Sequence, residues 1–155
     1  QVEKDNWIPK YYQALTLVTN SFQLQDETEK ANALKKIGEL IPKEEKDLNS
    51  EWLVVRALAT TSDMITDPMS KAAILSPSIM GDYEAAMKMD PNNPRAIIGL
   101  AEFSMQSKKF MGGDTKEECE SIQKALPLFE TKKTEPAFYP SWGKERAEAL
   151  LKECK

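Results

Sequence analysis

The sequence predicts an all-α protein built as a short stack of helical hairpins, and two observations carry that prediction. The first is a repeat. Trp7, Trp52 and Ile97 lie 45 positions apart, and the same offset relates Ile8, Leu53 and Ile98, then Ala14, Ala59 and Ser104. Each stretch reads as the first helix of a hairpin, bulky near its start and small two turns later. A recurring helical unit that cannot bury its own apolar face must stack on its neighbours. The second observation is that apolar stripes recur at helical spacing while no useful run of β alternation exists. Together they predict an α-α superhelix within one domain, 1–155. Its hairpins lie at about 6–41, 50–89 and 94–131, and a capping helix at 141–154 closes it.

The elements follow in order. Asn6 or Asp5 caps a first helix from about Trp7 to Asn20, with Pro9 in the first turn, where a missing N–H costs nothing. Ile8, Tyr11, Tyr12, Leu15 and Val18 form its stripe. Ala31, Leu34, Ile37, Leu40 and Ile41 carry a second helix from Glu27, which Pro42 ends. Asn49 or Ser50 caps a third, Glu51 to about Met64, built on Trp52, Val55, Leu58 and Ala59. Asp67-Pro68 breaks the pattern, and the two prolines of 67–78 predict a long connection with one turn of helix before a fourth helix, Ser78 to Met89. Asp90-Pro91-Asn92-Asn93-Pro94 is strong punctuation, and Pro94 opens a fifth helix to about Gln106. Asp114 and Glu117 fit a capping box for a sixth helix to about Thr131, with Pro127 set to kink it or remove its last turn. Ser141 then caps a final helix, Trp142 to Cys154. That helix sets Arg146, Glu148, Lys152 and Glu153 opposite Ala147, Leu150 and Leu151, the half-polar form that closes an open apolar end.

Composition narrows the function. Hydrophobic content of 41% and charged content of 30% suit a soluble globular chain. A net charge of −4 and a pI near 5.1 exclude a nucleic-acid footprint, which needs clustered Lys and Arg. No segment approaches the roughly 20 apolar residues that cross a bilayer. Gln1 in place of Met reads as removal of a leader and hence export to the periplasm or beyond, the alternative being a trimmed cytoplasmic chain. There is no histidine, so the commonest general base and metal ligand are both absent, and no nucleophile–base–orienter set can be assembled. No metal site, cofactor or catalytic residue is predicted.

The segment Tyr83-Glu84-Ala85-Ala86-Met87-Lys88-Met89-Asp90-Pro91-Asn92-Asn93-Pro94 resembles the junction between two tetratricopeptide repeats. An aromatic residue precedes a small one by three there, and a Pro-Asn-Asn turn follows. Leu100-Ala101 sits where that family places a Leu-Gly pair, and Trp52 matches its early Trp. The likeness covers roughly residues 50 to 60 and 79 to 110; the spacing departs from the family's 34 residues, and Arg56 stands where a small residue is usual. With Phe110-Met111-Gly112-Gly113 and Pro140-Ser141-Trp142-Gly143-Lys144-Glu145, the chain resembles exported bacterial tetratricopeptide-like proteins. The resemblance implies close helix approach at Ala86 and Ala101, and a binding face on the inner helices. The family's Lys and Asn carboxylate clamp is missing: its positions hold Ile8, Tyr12, Leu53, Thr60 and Glu102, which argues against capture of a peptide tail.

On the repeat alignment the inner surface carries Asp5, Ile8, Tyr12, Leu15 and Thr16, then Leu53, Ala57, Thr60 and Thr61, then Arg95, Ile98, Glu102, Met105 and Gln106. Ile8, Tyr12, Leu53, Arg95, Ile98, Glu102 and Met105 are the predicted contacts with a protein or peptide partner; the competing expectation is that these residues pack against neighbouring helices. Arg56 needs a counter-charge, and Asp82 and Asp63 are candidates. Cys119 and Cys154 lie at near-equal distances from a turn centre near residue 136, so they either bridge the last two helices as a disulfide or remain two unpaired, mostly buried thiols. Gly112-Gly113 reads as a turn rather than an anion cradle. Function is therefore expected to be a non-enzymatic interaction scaffold of the bacterial envelope. The alternative is a small-ligand carrier or accessory subunit in nutrient uptake, with an aromatic-lined pocket near Trp7, Tyr11 and Trp52.

Overall fold

A computed structural model describes residues 6–131 and 133–154. Asp5, expected as a cap and an inner-surface residue, lies outside the described residues. The fold is all-α. Its helices are α1 (Ile8–Ser21), α2 (Glu27–Leu40), α3 (Ser50–Met64), α4 (Pro68–Met89), α5 (Pro94–Phe110), α6 (Lys116–Ala125) and α7 (Lys144–Glu153), with 3₁₀ turns at Glu45–Asp47 and Leu126–Glu130. Consecutive helices pair as α1 with α2, α3 with α4 and α5 with α6. The first members also touch in series, α1 on α3 and α3 on α5, and α7 closes on α6. Ile8, Leu53 and Ile98, one repeat offset apart, are all buried, so the offset marks the same inward direction in each hairpin.

Short polar side chains start the helices by taking orphan N–H groups. Asn6 Oδ1 accepts from Ile8 N at 3.1 Å, Asp26 Oδ1 from Glu29 N at 2.8 Å and Asn49 Oδ1 from Trp52 N at 2.9 Å. Asp67 Oδ1 accepts from Ser70 N at 3.3 Å and Asn93 Oδ1 from Arg95 N at 3.0 Å. Asp114 accepts from Lys116 N at 3.0 Å but stands outside α6, so it makes no box with Glu117. Pro127 ends α6 at Ala125 and leaves a 3₁₀ turn.

Two expectations fail here. The stretch from 67 to 78 is not a connection: α4 runs unbroken from Pro68, and Pro77 sits inside it. Pro68 occupies the first turn, where proline is tolerated, and Pro77 and Ala73 are both exposed, so water can take up the carbonyl that Pro77 leaves without an N–H. Leu75 and the buried Ile79 keep the apolar side of α4 continuous through that point. The last helix also begins later than expected, at Lys144. Gly143 precedes it with φ +110°, a conformation that suits glycine, and Ser141 caps nothing.

The core has two parts. Tyr11, Ala14, Val18, Ile37, Trp52, Val55, Ile79, Tyr83, Ala86 and Phe103 join the first two hairpins to one side of α5. Ile98, Ala101 and Met105 turn the other side of α5 toward Ile122, Ala125, Phe129, Ala147 and Leu150. Helices α4 and α5 meet closely at Gly99, where an added Cβ would fall 2.3 Å from Tyr83 Cε1. Arg56 pairs with Asp82 through two parallel bonds of 3.0 and 2.7 Å, while Asp63 instead holds Lys71. Cys119 and Cys154 are joined by a disulfide, Cα to Cα 5.9 Å, which ties the start of α6 to the end of α7.

Candidate functional site

Tyr11 and Tyr12 are adjacent on α1 and therefore point in different directions. Tyr11 is fully buried. Its hydroxyl donates to Glu51 Oε2 at 3.2 Å and accepts from Trp142 Nε1 at 2.8 Å. Glu51, in the first turn of α3, has no exposed surface and takes a fork from Arg95: Nε at 3.0 and 2.9 Å and Nη2 at 2.6 Å. Arg95 stands in the first turn of α5. Its Nη1 donates to the Trp142 carbonyl at 3.3 Å, and the guanidinium lies 5.9 Å from the centre of the Trp142 ring. Burial works to lower the Arg95 pKa, yet the hydrogen bonds and charge of Glu51 hold it above its ordinary value, so the guanidinium stays protonated. Burial, and then the charge of Glu51, push the Tyr11 phenol well above its usual range, so it stays protonated and able to donate.

This network fixes Trp142, and Trp142 draws the 133–143 segment back across the starts of the first helices like a strap. Tyr12 donates to the Phe138 carbonyl at 3.0 Å. Tyr139 meets Trp7 edge to face at 5.7 Å, and Lys133 pairs with Asp90 while lying 5.1 Å from the Tyr139 ring centre.

A cleft of about 480 Å³ opens between α1 and the strap, lined by Tyr12, Leu15, Phe129, Glu130, Ser141, Trp142, Lys144 and Glu145. A second cleft of about 710 Å³ lies along α1 and α2, lined by Pro9, Tyr12, Gln13, Thr16, Leu17, Lys36, Glu39 and Leu40. Tyr12 is common to both. Both volumes fall in the range that takes metabolite-sized ligands, roughly 300–1,000 Å³. The cleft along α1 and α2 is mostly apolar, whereas the strap cleft sets Glu130, Ser141, Lys144 and Glu145 around the rings of Tyr12, Phe129 and Trp142, so it offers a flat molecule aromatic faces together with polar and charged groups.

The seven predicted contact residues do not form one surface. Ile8, Leu53, Arg95, Ile98 and Met105 are buried. Ile8, Leu53, Ile98 and Met105 serve as packing, and Arg95 is held by Glu51. Glu102 is half-buried and pairs with Arg146 of α7, with Arg146 Nε 2.9 Å from Glu102 Oε1. Only Tyr12 is exposed, and it stands in the cleft. The physical reason is that the strap and α7 lie where an open array would leave its inner helices bare. Trp7, Tyr11 and Trp52 also differ from the pocket expected of them. Their rings meet one another at 5.3, 6.4 and 5.7 Å, so each covers its neighbour. Phe129, Ser141, Trp142 and Lys144 were not anticipated as lining residues. The stretch Pro140-Ser141-Trp142-Gly143 reads in the sequence as the start of the last helix, and Gly143 at φ +110° instead leaves Trp142 outside it, free to reach Tyr11 and Arg95.

No family model matches the sequence, and no curated protein matches it. A solved structure, the HusA haemophore from Porphyromonas gingivalis, superposes with a TM-score of 0.73 at 22% identity, over 97% of this chain and 75% of that one. At that identity the likeness is one of fold.

Proposed function

We propose that the protein is a non-enzymatic carrier of a small, flat, largely apolar ligand, of which haem or a related porphyrin is the leading candidate, serving nutrient uptake outside the cytoplasm. The observation that carries this reading is the cleft at Tyr12, walled by Phe129 and Trp142 and fixed by the Tyr11–Glu51–Arg95–Trp142 network. Likeness in fold to a protein described as a haemophore supports the ligand class. The disulfide supports an oxidising compartment. The stacking of the hairpins fits a tetratricopeptide-like architecture. With no histidine in the sequence, affinity would rest on ring stacking and apolar burial, and a contact to iron would fall to another side chain of the cleft, such as the Tyr12 phenol. The protein-scaffold reading has less support, because five of its seven contact residues have no surface to offer.

The test is titration with haemin and with metal-free protoporphyrin, following tryptophan quenching and the porphyrin absorption band. Saturable one-to-one binding with a rise in Tm is expected. No saturable change with either compound at micromolar concentration would sink the proposal.

A further inference from the structure

Phe138 carries two costs that folding does not repay. Its φ is +62°, the left-handed region that a side chain with a Cβ rarely adopts. The residue is also 84% exposed, so little packing offsets that conformation. Glycine or asparagine would make the same turn more easily. Phe110 is as exposed, but it ends a helix in ordinary geometry. Strained backbone combined with a bare aromatic ring points to a use outside the fold.

Position supplies that use. The Phe138 carbonyl accepts from Tyr12, the residue shared by both clefts, so the Phe138 Cα is two bonds from an atom touching the cleft wall. Ser141 and Trp142, three and four residues on, line the cleft themselves. Tyr139 against Trp7 and Lys133 against Asp90 hold the strap on both sides of Phe138. The backbone of Phe138 is thus held beside Tyr12, while its side chain stays exposed to solvent.

We propose that Phe138 is a ligand-contacting residue, an aromatic flap that closes over a flat apolar molecule seated between Tyr12 and Trp142. This rests on the carrier reading above. The experiment is a titration of wild type, Phe138→Ala, Phe138→Gly and Phe138→Trp with metal-free protoporphyrin, with Tm measured on each free protein. Phe138→Ala is expected to lose affinity on the order of tenfold, since one face of the ligand stays wet. Phe138→Trp should keep the affinity, and Phe138→Gly should bind as weakly as Phe138→Ala while raising the Tm of the free protein. Wild-type binding with an unchanged Phe138→Ala would overturn this inference alone. No binding by wild type would overturn both it and the carrier reading.

Discussion

Taking a carboxylate out of water costs several kcal/mol, and Glu51 is taken out completely. Three bonds from Arg95 and one from Tyr11 answer that cost, which makes the pair sensitive to the loss of one member rather than of both. Arg95→Ala should therefore lose about 3–5 kcal/mol in urea unfolding, because the buried Glu51 carboxyl loses its counter-charge and three of its four hydrogen bonds. Arg95→Met combined with Glu51→Leu should recover most of it. A double variant as unstable as the single would show that the penalty has another source. The two charges illustrate what could be read beforehand. Arg56 sits amid apolar residues on its helix, so its need for a counter-charge was visible, and Asp82 meets it. Arg95 looked like a surface residue. Its partner is 44 residues away and has no local signature, so only the stacking of α3 on α5 reveals that both are interior.

Helices α5, α6 and α7 are tied at one end by ion pairs, Lys108 to Glu118 at 2.8 Å and Lys109 to Glu153 at 2.7 Å. Burial pushes the Glu118 carboxyl up, but hydrogen bonds from Lys108 and Ser104 outweigh it and hold it below its ordinary value; the Lys109 bond lowers Glu153 as well. A carboxyl with a lower pKa folded than unfolded stabilises the fold above its unfolded value of 4.5 and stops doing so as pH falls through the folded one. Tm should thus decline below about pH 4.5, and Glu118→Gln should make that decline shallower. An acid limb equally steep in the variant would remove Glu118 from the account. At this scale the helical stripes and polar caps were legible, because they depend on residues within one or two turns. The continuity of α4 was not. Whether Pro77 breaks a helix depends on whether water can reach the carbonyl it strands, and that depends on which face the rest of the molecule covers. Ala86 and Ala101, where close approach was expected, are both buried, and Gly99 under the Tyr83 ring adds a close contact between helices that spacing cannot show.

The cleft takes its walls from both ends of the chain: Tyr12 and Leu15 from α1, and Phe129, Trp142 and Lys144 from the segments leading into and out of the strap. Its shape therefore depends on how firmly α7 is seated, and the Cys119–Cys154 bond is the covalent tie that seats it. Closing a loop with a sequence separation of 35 should stabilise the fold by about 2–4 kcal/mol, chiefly by restricting the unfolded chain. If a ligand in the cleft prefers the seated position, binding and bond are linked, and the linkage runs both ways. Cys119→Ser with Cys154→Ser should lower Tm, keep the helical content and weaken binding of metal-free protoporphyrin. The same factor by which affinity falls on reduction should appear as the factor by which bound porphyrin shifts the dithiol equilibrium toward the disulfide. Equal affinities for the oxidised protein and the double variant, with Tm lowered, would mean that the cleft wall holds its place without α7. The bond would then serve stability alone.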